Sequence, residues 1–85
     1  FQPRHSLDTR DLVRLFVWSE DEFERYTEGS AIRRIGYDCW LRNIAVALGN
    51  APTSTDVVNA LTVHANHTSE LVREHVAWAL QQHVL

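Results

Sequence analysis

The stretch that organises the chain is Gly29–Asn50, which reads Gly-Ser-Ala-Ile-Arg-Arg-Ile-Gly-Tyr-Asp-Cys-Trp-Leu-Arg-Asn-Ile-Ala-Val-Ala-Leu-Gly-Asn. Four apolar residues in its second half follow the i, i+3, i+4, i+7 spacing of a helix face, namely Leu41, Ile44, Ala45 and Leu48. Apolar side chains also occupy other sides of this segment, so we expect its neighbours to cover it nearly all round. The pattern predicts a core helix from about Tyr37 to Leu48.

Helix-capping signals divide the sequence that precedes this stretch. Asp8 is a candidate N-cap for a first helix that runs to about Val17. Ser19 and Glu22 form a capping box that predicts a second helix to about Thr27. The first helix is expected to bury Leu12, Leu15 and Phe16.

Two more helices are predicted beyond the core helix, and no strand pattern is found. A fourth main helix opens at 53–56, and a final helix runs from Ser69 to about His83. Their apolar stripes are Val57, Val58, Leu61 and Ala65 in the first, and Val72, Val76, Ala79 and Leu80 in the second. The similar segments Ile44–Leu48 and Val76–Leu80 are offset by 32 residues, from 44 to 76. Helix pairs joined by short turns suggest a small helical-repeat stack.

Composition and charge are those of one small globular domain. The chain has 85 residues, of which 45% are hydrophobic and 22% charged. The net charge is −3, whereas proteins that bind nucleic acids on their own are typically basic. All eight basic residues are arginine, however, whose planar guanidinium suits bidentate binding of phosphate or carboxylate. The single cysteine, Cys39, excludes an internal disulfide and a cysteine-ligated cluster within the chain, and its apolar context favours a buried, inert thiol.

The sequence contains neither a membrane span nor a signal-peptide pattern. No segment approaches the roughly 20 apolar residues that cross a bilayer, and the first residues lack a charged region followed by an apolar one. We therefore expect a cytoplasmic protein without a membrane partner. Because the chain begins without Met, it is expected to be the C-terminal piece of a longer protein.

A short helical turn, Ala31–Ile35, is predicted between Ser30 as its cap and Gly36. Its first turn carries Arg33 and Arg34, where positive charge opposes the helix dipole. A capping serine beside two arginines is suited to receive an anion. The alternative is that a carboxylate of the domain neutralises these arginines, the candidates being Glu24, Glu28 and Asp38.

Arg42 and Asn43 interrupt the apolar core helix. A buried guanidinium or carboxamide without a partner costs roughly 1 to 3 kcal/mol or more. These side chains therefore either bond inside the domain, for example to loop carbonyls near Gly29 or Asn50, or line a face that a ligand or another domain covers.

The histidines do not form a recognisable metal or catalytic site. His64 and His67 have i, i+3 spacing but straddle a helix end without a further ligand beside them. His75 falls on the apolar side of the last helix, where a core histidine bonded through one nitrogen is expected. Glu70 and Arg73 are i, i+3 neighbours, so a surface ion pair is expected there. With no nucleophile elbow, phosphate loop or paired carboxylates, we expect the chain to be non-catalytic by itself.

Four segments resemble the C-terminal region of bacterial epoxyqueuosine reductases. They are 18–23 (Trp-Ser-Glu-Asp-Glu-Phe), 27–36 (Thr-Glu-Gly-Ser-Ala-Ile-Arg-Arg-Ile-Gly), 40–50 (Trp-Leu-Arg-Asn-Ile-Ala-Val-Ala-Leu-Gly-Asn) and 70–80 (Glu-Leu-Val-Arg-Glu-His-Val-Ala-Trp-Ala-Leu). The resemblance covers almost the whole chain. It implies that residues 1–85 form one all-α, HEAT-like repeat domain of about five helices, a small right-handed stack of antiparallel helix pairs.

The resemblance also implies a function for the parent protein. Members of this family are oxidoreductases that reduce epoxyqueuosine to queuosine in tRNA, using a cobalamin and two 4Fe-4S clusters held upstream of this region. The C-terminal domain is expected to hold the tRNA anticodon stem-loop. The alternative is a scaffold that packs on the upstream catalytic domains of the same chain without touching RNA. The residues that occupy the family's motif, and to which RNA binding is carried over, are Ser30, Arg33, Arg34, Arg42, Asn43, Asn50, Arg73 and His75.

Overall fold

The computed structural model describes residues 8–83, and every regular element in that range is helical. The elements are α1 (Thr9–Phe16), α2 (Glu20–Tyr26), a 3-10 helix (Ala31–Ile35), α3 (Tyr37–Gly49), α4 (Thr55–Val63) and α5 (Glu70–Gln81). The prediction of an all-α fold with about five helices is therefore confirmed. The predicted ends lie within one or two residues of the observed ones.

Side-chain caps begin the helices at the predicted positions. The carboxylate of Asp8 accepts the N–H of Asp11 at 3.0 Å, and Asp11 accepts the N–H of Asp8 at 3.2 Å. Ser19 and Glu22 form the same reciprocal pair at the start of α2. Ser54 and Ser69 cap α4 and α5 through their hydroxyl groups. The starts of α1, α2, α4 and α5 are therefore each fixed by a local side-chain hydrogen bond.

Helix α3 begins without a side-chain cap, and its start is fixed by its neighbours instead. Gly36 precedes it with φ at +84°, a left-handed conformation that favours glycine. The hydroxyl of Tyr37 donates to the carbonyl of Trp18 at 2.6 Å, which ties the first residue of α3 to the link between α1 and α2. The 3-10 helix is thereby held against the start of the core helix.

The helices form two stacked pairs, α1 with α3 and α4 with α5. Between the pairs, α1 packs on α4, and α3 packs on α5 over the most extensive helix contact of the domain. This is the neighbour pattern of a helical-repeat stack. Helix α2 and the 3-10 helix are inserted in the connection between the two members of the first pair.

The offset of 32 residues seen in the sequence reappears as equivalent structure at the ends of α3 and α5. The carboxamide of Asn50 donates to the carbonyl of Val46 at 3.1 Å, and that of Gln82 donates to the carbonyl of Trp78 at 3.2 Å. Positions 46 and 78, and 50 and 82, are thus structurally equivalent. Both helices end with an amide side chain folded back on the last turn.

The core lies between the two helix layers, but it covers less of α3 than predicted. Fully buried side chains include Phe16, Phe23, Leu41, Leu48, Val57, Leu61, Val72 and Val76. Leu12, Leu15, Val58 and Leu80, all predicted to be buried, are only half-buried. Val46 is 38% exposed, Asn43 is exposed and Cys39 is half-buried, so the prediction of a helix covered nearly all round is wrong. Helices α1 and α5 make the most extensive contacts with α3, and α2, the 3-10 helix and α4 make smaller ones. The side of α3 that carries Asn43 and Val46 remains exposed.

Candidate functional site

The 3-10 helix presents Ser30, Arg33 and Arg34 around one shallow, open depression, whose other walls are Gly29 and Ala31. The hydroxyl of Ser30 accepts the N–H of Ile32 at 3.2 Å, so it caps the helix as predicted. The carbonyl of Ser30 accepts the N–H of Arg33 at 3.2 Å. Because the N–H groups of Ile32 and Arg33 are satisfied internally, an anion in this depression would depend mainly on the arginine side chains.

The two arginines of the depression differ in their partners. Arg33 forms a salt bridge with Glu24, at 2.8 Å from Nη2 to Oε1, with Nε donating to the same oxygen at 3.0 Å. The neighbouring Arg34 is exposed and makes no ion pair with any residue in 8–83. Neutralisation by a carboxylate of the domain therefore holds for Arg33, through Glu24, and not for Arg34.

Arg42 and Asn43 bond to each other at the uncovered side of α3. Nε and Nη2 of Arg42 donate to Oδ1 of Asn43 at 3.2 and 3.0 Å. Asn43 is exposed and Arg42 is half-buried, and neither reaches the loop carbonyls considered for them. Since Oδ1 is occupied, the amide hydrogens of Asn43 are the groups left to bind a partner. Of the two alternatives, the geometry favours a face that something else covers.

Helices α3 and α5 together form a mixed polar and apolar surface, which we call the α3–α5 face. It consists of Arg42, Asn43 and Val46 on α3, of the C-cap residue Asn50, and of Glu74, His75 and Trp78 on α5. Val46 and Trp78 are 38% and 39% exposed, and they line a shallow hollow with Glu74 and His75. Sequence reasoning missed Val46 and Trp78. Their signal was the 32-residue offset, which places both at the same repeat position.

His75 is held to its own helix through one ring nitrogen, as predicted. Nδ1 lies 2.8 Å from the carbonyl oxygen of Leu71. A carbonyl can only accept, so Nδ1 carries the hydrogen, and Nε2 of the neutral ring remains as an acceptor. The ring is half-buried at the edge of the α3–α5 face. His75 therefore combines a structural bond with a polar atom that a ligand can use.

An apolar hollow of about 220 Å³ borders the α3–α5 face at Asn43. Its lining comes from α1, the 3-10 helix and α3, and comprises Leu12, Ile32, Ile35, Trp40, Asn43, Ile44 and Ala47. Trp40 is 6% exposed, and its indole N–H has no hydrogen-bond partner within residues 8–83. This hollow could not be predicted from the sequence, because the contact of the 3-10 helix with α3 is set by tertiary packing.

Arg73 lies apart from these surfaces and closes the turn between α4 and α5. Nη1 donates to the carbonyl of His67 at 2.7 Å and to that of Thr68 at 3.0 Å. The predicted ion pair with Glu70 is wrong, since Arg73 has no ion pair within residues 8–83. The guanidinium satisfies turn carbonyls that would otherwise face water alone. Its bonds give Arg73 a structural role in the turn.

His64 and His67 are also used by the fold. Nε2 of His64 lies 2.8 Å from the carbonyl oxygen of Phe16, which joins the end of α4 to the end of α1. Burial lowers the pKa of His64, the bond to Phe16 opposes this shift, and the nearby His67 adds to it. Nδ1 of His67 accepts the N–H of Ser69 at 3.0 Å. Within residues 8–83, no group of three or more His, Cys, Asp and Glu side chains could hold a metal ion.

No helix in residues 8–83 is long and apolar enough to cross a membrane.

Comparison with known proteins identifies what the chain is similar to. It is 60% identical over 83 residues to the epoxyqueuosine reductase of Pseudomonas aeruginosa. This alignment covers 98% of this chain and 23% of the relative's length. It is 59% identical over 85 residues to the epoxyqueuosine reductase of Xanthomonas campestris pv. campestris, and that alignment covers 100% of this chain and 24% of the relative. With that of Escherichia coli strain K12 it is 51% identical over 84 residues, covering 99% and 22%. No protein-family model and no solved structure matches the chain.

These alignments confirm the resemblance expected from the sequence. Identities of 51 to 60% run over nearly the whole chain, yet the chain spans less than a quarter of the length of these relatives. It is therefore similar to one segment of the epoxyqueuosine reductases. Their name describes proteins that act on epoxyqueuosine.

Proposed function

We propose that this chain is the tRNA-docking domain of an epoxyqueuosine reductase, an oxidoreductase that reduces epoxyqueuosine to queuosine in tRNA. In this proposal the domain binds the anticodon stem-loop, and the catalytic domains of the same protein carry out the reduction. The sequence similarity supports the context of tRNA modification. The docking role rests on the surfaces of the domain itself.

The docking role rests mainly on the exposure and the hydrogen bonding of Arg42 and Asn43. Both lie on the exposed side of α3, their side chains bond only to each other within residues 8–83, and exposed Val46 lies near them. RNA loops are recognised through phosphate contacts and through the edges and faces of splayed bases. A guanidinium, a carboxamide with free amide hydrogens and an exposed indole suit those three kinds of contact. The depression at Arg34 adds a cation for a backbone phosphate.

The eight motif residues take different parts in this proposal. Arg34, Arg42, Asn43 and Asn50 have exposed or half-buried polar groups on the two proposed contact surfaces, and His75 lies at the edge of one. Ser30 shapes the depression by capping the 3-10 helix. Arg33 offers its Nε–Nη2 edge to RNA only when it leaves Glu24, and Arg73 supports the turn between α4 and α5.

The 4Fe-4S clusters expected for the reductases do not fit this chain. A 4Fe-4S cluster is held by four ligands, as a rule cysteine thiolates, and the sequence contains one cysteine, Cys39. Cys39 is half-buried on α3, and it belongs to no group of metal-ligating side chains within residues 8–83. The clusters would therefore be held by other parts of the parent protein, where the resemblance also places the cobalamin, and we assign this domain no step of the redox chemistry.

Titration with an anticodon stem-loop RNA tests the docking role. In the reductase that carries this domain, Arg34→Ala is expected to weaken binding and to reduce the dependence of log affinity on log salt concentration by about 0.7 to 0.9, the contribution of one phosphate contact. Arg14→Ala is the matched control, because it removes the same charge from α1, outside the depression. If both variants bind with the same affinity and slope, the proposed docking surface is wrong.

A second candidate is that the same surface packs on another domain of the parent protein. This interdomain role is favoured by the exposed side chains of Val46 and Trp78 and by the apolar hollow, since exposed apolar surface often marks an interface. In that case Val46→Ser would loosen the contact between domains, seen as faster limited proteolysis, while affinity for the RNA stayed unchanged. Loss of RNA affinity at constant proteolysis would favour the docking role.

A further inference from the structure

A salt bridge occupies the phosphate-binding edge of one arginine in the depression. Nε and Nη2 of Arg33 both donate to Oε1 of Glu24, at 3.0 and 2.8 Å. These two groups form one of the guanidinium edges whose parallel donors suit bidentate binding of carboxylate or phosphate. A phosphate cannot use this edge while the carboxylate of Glu24 is bound to it.

The salt bridge is placed where a ligand can replace it. The side chains of Arg33 and Glu24 are each 43% exposed, and exposed ion pairs are weak. Glu24 lies on α2, and Arg33 lies on the 3-10 helix nine residues later. Replacing the carboxylate by phosphate therefore needs only side-chain movement and leaves both backbone segments in place.

Arg34 provides the internal comparison. It lines the same depression, yet it makes no ion pair with any residue in the described range 8–83. Two adjacent arginines thus present one guanidinium that is open to an anion and one that is already occupied.

We propose that Glu24 competes with RNA phosphate for Arg33, so that it limits the number of phosphates bound at this depression. The inference rests on the proposed docking function. The ligand is the phosphodiester backbone of a structured RNA, which contacts Arg34 first and gains the Nε–Nη2 edge of Arg33 only by displacing Glu24. The domain then binds RNA more weakly, and with a shallower salt dependence, than two free arginines would allow.

The experiment compares two variants that remove the same charge. Anticodon stem-loop RNA is titrated into the reductase at several KCl concentrations. Glu24→Gln is expected to tighten binding about two- to fivefold near 0.1 M salt and to steepen the slope of log affinity against log salt by about 0.7 to 0.9, as one added phosphate contact requires. Glu28→Gln is the matched control, because Glu28 is exposed and makes no ion pair within residues 8–83. It is expected to leave the slope unchanged.

A double variant separates competition from general repulsion. In an Arg33→Ala background, Glu24→Gln is expected to change binding no more than Glu28→Gln does. The inference is overturned if Glu24→Gln and Glu28→Gln act alike in the otherwise unchanged protein, or if the effect of Glu24→Gln persists without Arg33. Failure of the docking function looks different, because Arg34→Ala would then bind RNA as the unchanged protein does.

Discussion

The indole ring of Trp78 lies directly against the backbone of Gly49. A Cβ atom built at position 49 would stand 2.5 Å from Cζ3 of Trp78 and 3.1 Å from Cα of Ala79. Glycine at this position therefore lets the end of α3 approach α5 closely. The same approach fixes the ring that forms the apolar part of the α3–α5 face.

We expect Gly49→Ala to destabilise the domain by about 1 to 3 kcal/mol, the usual cost of overpacking. The sign of this change in unfolding free energy distinguishes close packing from open space at position 49. At an open helix position, alanine would instead stabilise by up to about 1 kcal/mol relative to glycine. Urea denaturation followed by circular dichroism measures the difference. A Trp78→Ala background should remove part of the cost, since it removes the nearest contact. An unchanged or higher stability of Gly49→Ala would contradict the close packing.

Stability is expected to fall as pH decreases below 6.5, with His64 as one cause. Burial lowers the pKa of His64 in the folded chain from its ordinary value of 6.5, to which it returns on unfolding. Between the two pKa values the unfolded chain binds more protons, so the contribution is complete above pH 6.5 and is lost as pH falls through the folded pKa. Denaturation midpoints measured from pH 7.5 to 5 provide the check.

His64→Gln is the comparison for this pH series. Glutamine can still donate to the carbonyl of Phe16, which His64 contacts at 2.8 Å, but it does not titrate. The variant should lose less stability than the unchanged protein between pH 7 and 5. Parallel pH profiles for the two proteins would show that His64 does not contribute.

Local signals in the sequence predicted the helices well. The capping pairs at Asp8 and Ser19, the glycine at position 36 and the apolar spacing around Ile44 act over a few residues, so they can be recognised without the fold. The capping of the 3-10 helix by Ser30 was predicted for the same reason. The offset of 32 residues suggested a helical-repeat stack, and the two segments it relates lie in α3 and α5, which pack on each other in the structure.

The parts that the sequence could not predict depend on which helix covers which side. Ile44 and Val46 are both apolar residues of α3, yet one is 5% and the other 38% exposed, since α5 and α1 leave one side of the helix open. The sequence offered three acidic partners for Arg33, namely Glu24, Glu28 and Asp38, but only the fold shows that Glu24 is the one in contact. Arg73 was assigned to Glu70 from helix spacing, whereas the backbone carbonyls of His67 and Thr68 are the groups it meets after folding.

The asparagines of the chain allow the proposed binding of RNA at the α3–α5 face to be tested at the level of single side chains. Asn43 and Asn50 lie on the α3–α5 face, whereas Asn59 on α4 and Asn66 in the following turn are exposed elsewhere. Their side-chain amide signals can be followed by ¹H–¹⁵N NMR while anticodon stem-loop RNA is added. The docking proposal predicts that the signals of Asn43 and Asn50 shift with RNA concentration and that those of Asn59 and Asn66 do not. Shifts confined to Asn59 and Asn66, or no shift in any of the four, would contradict it.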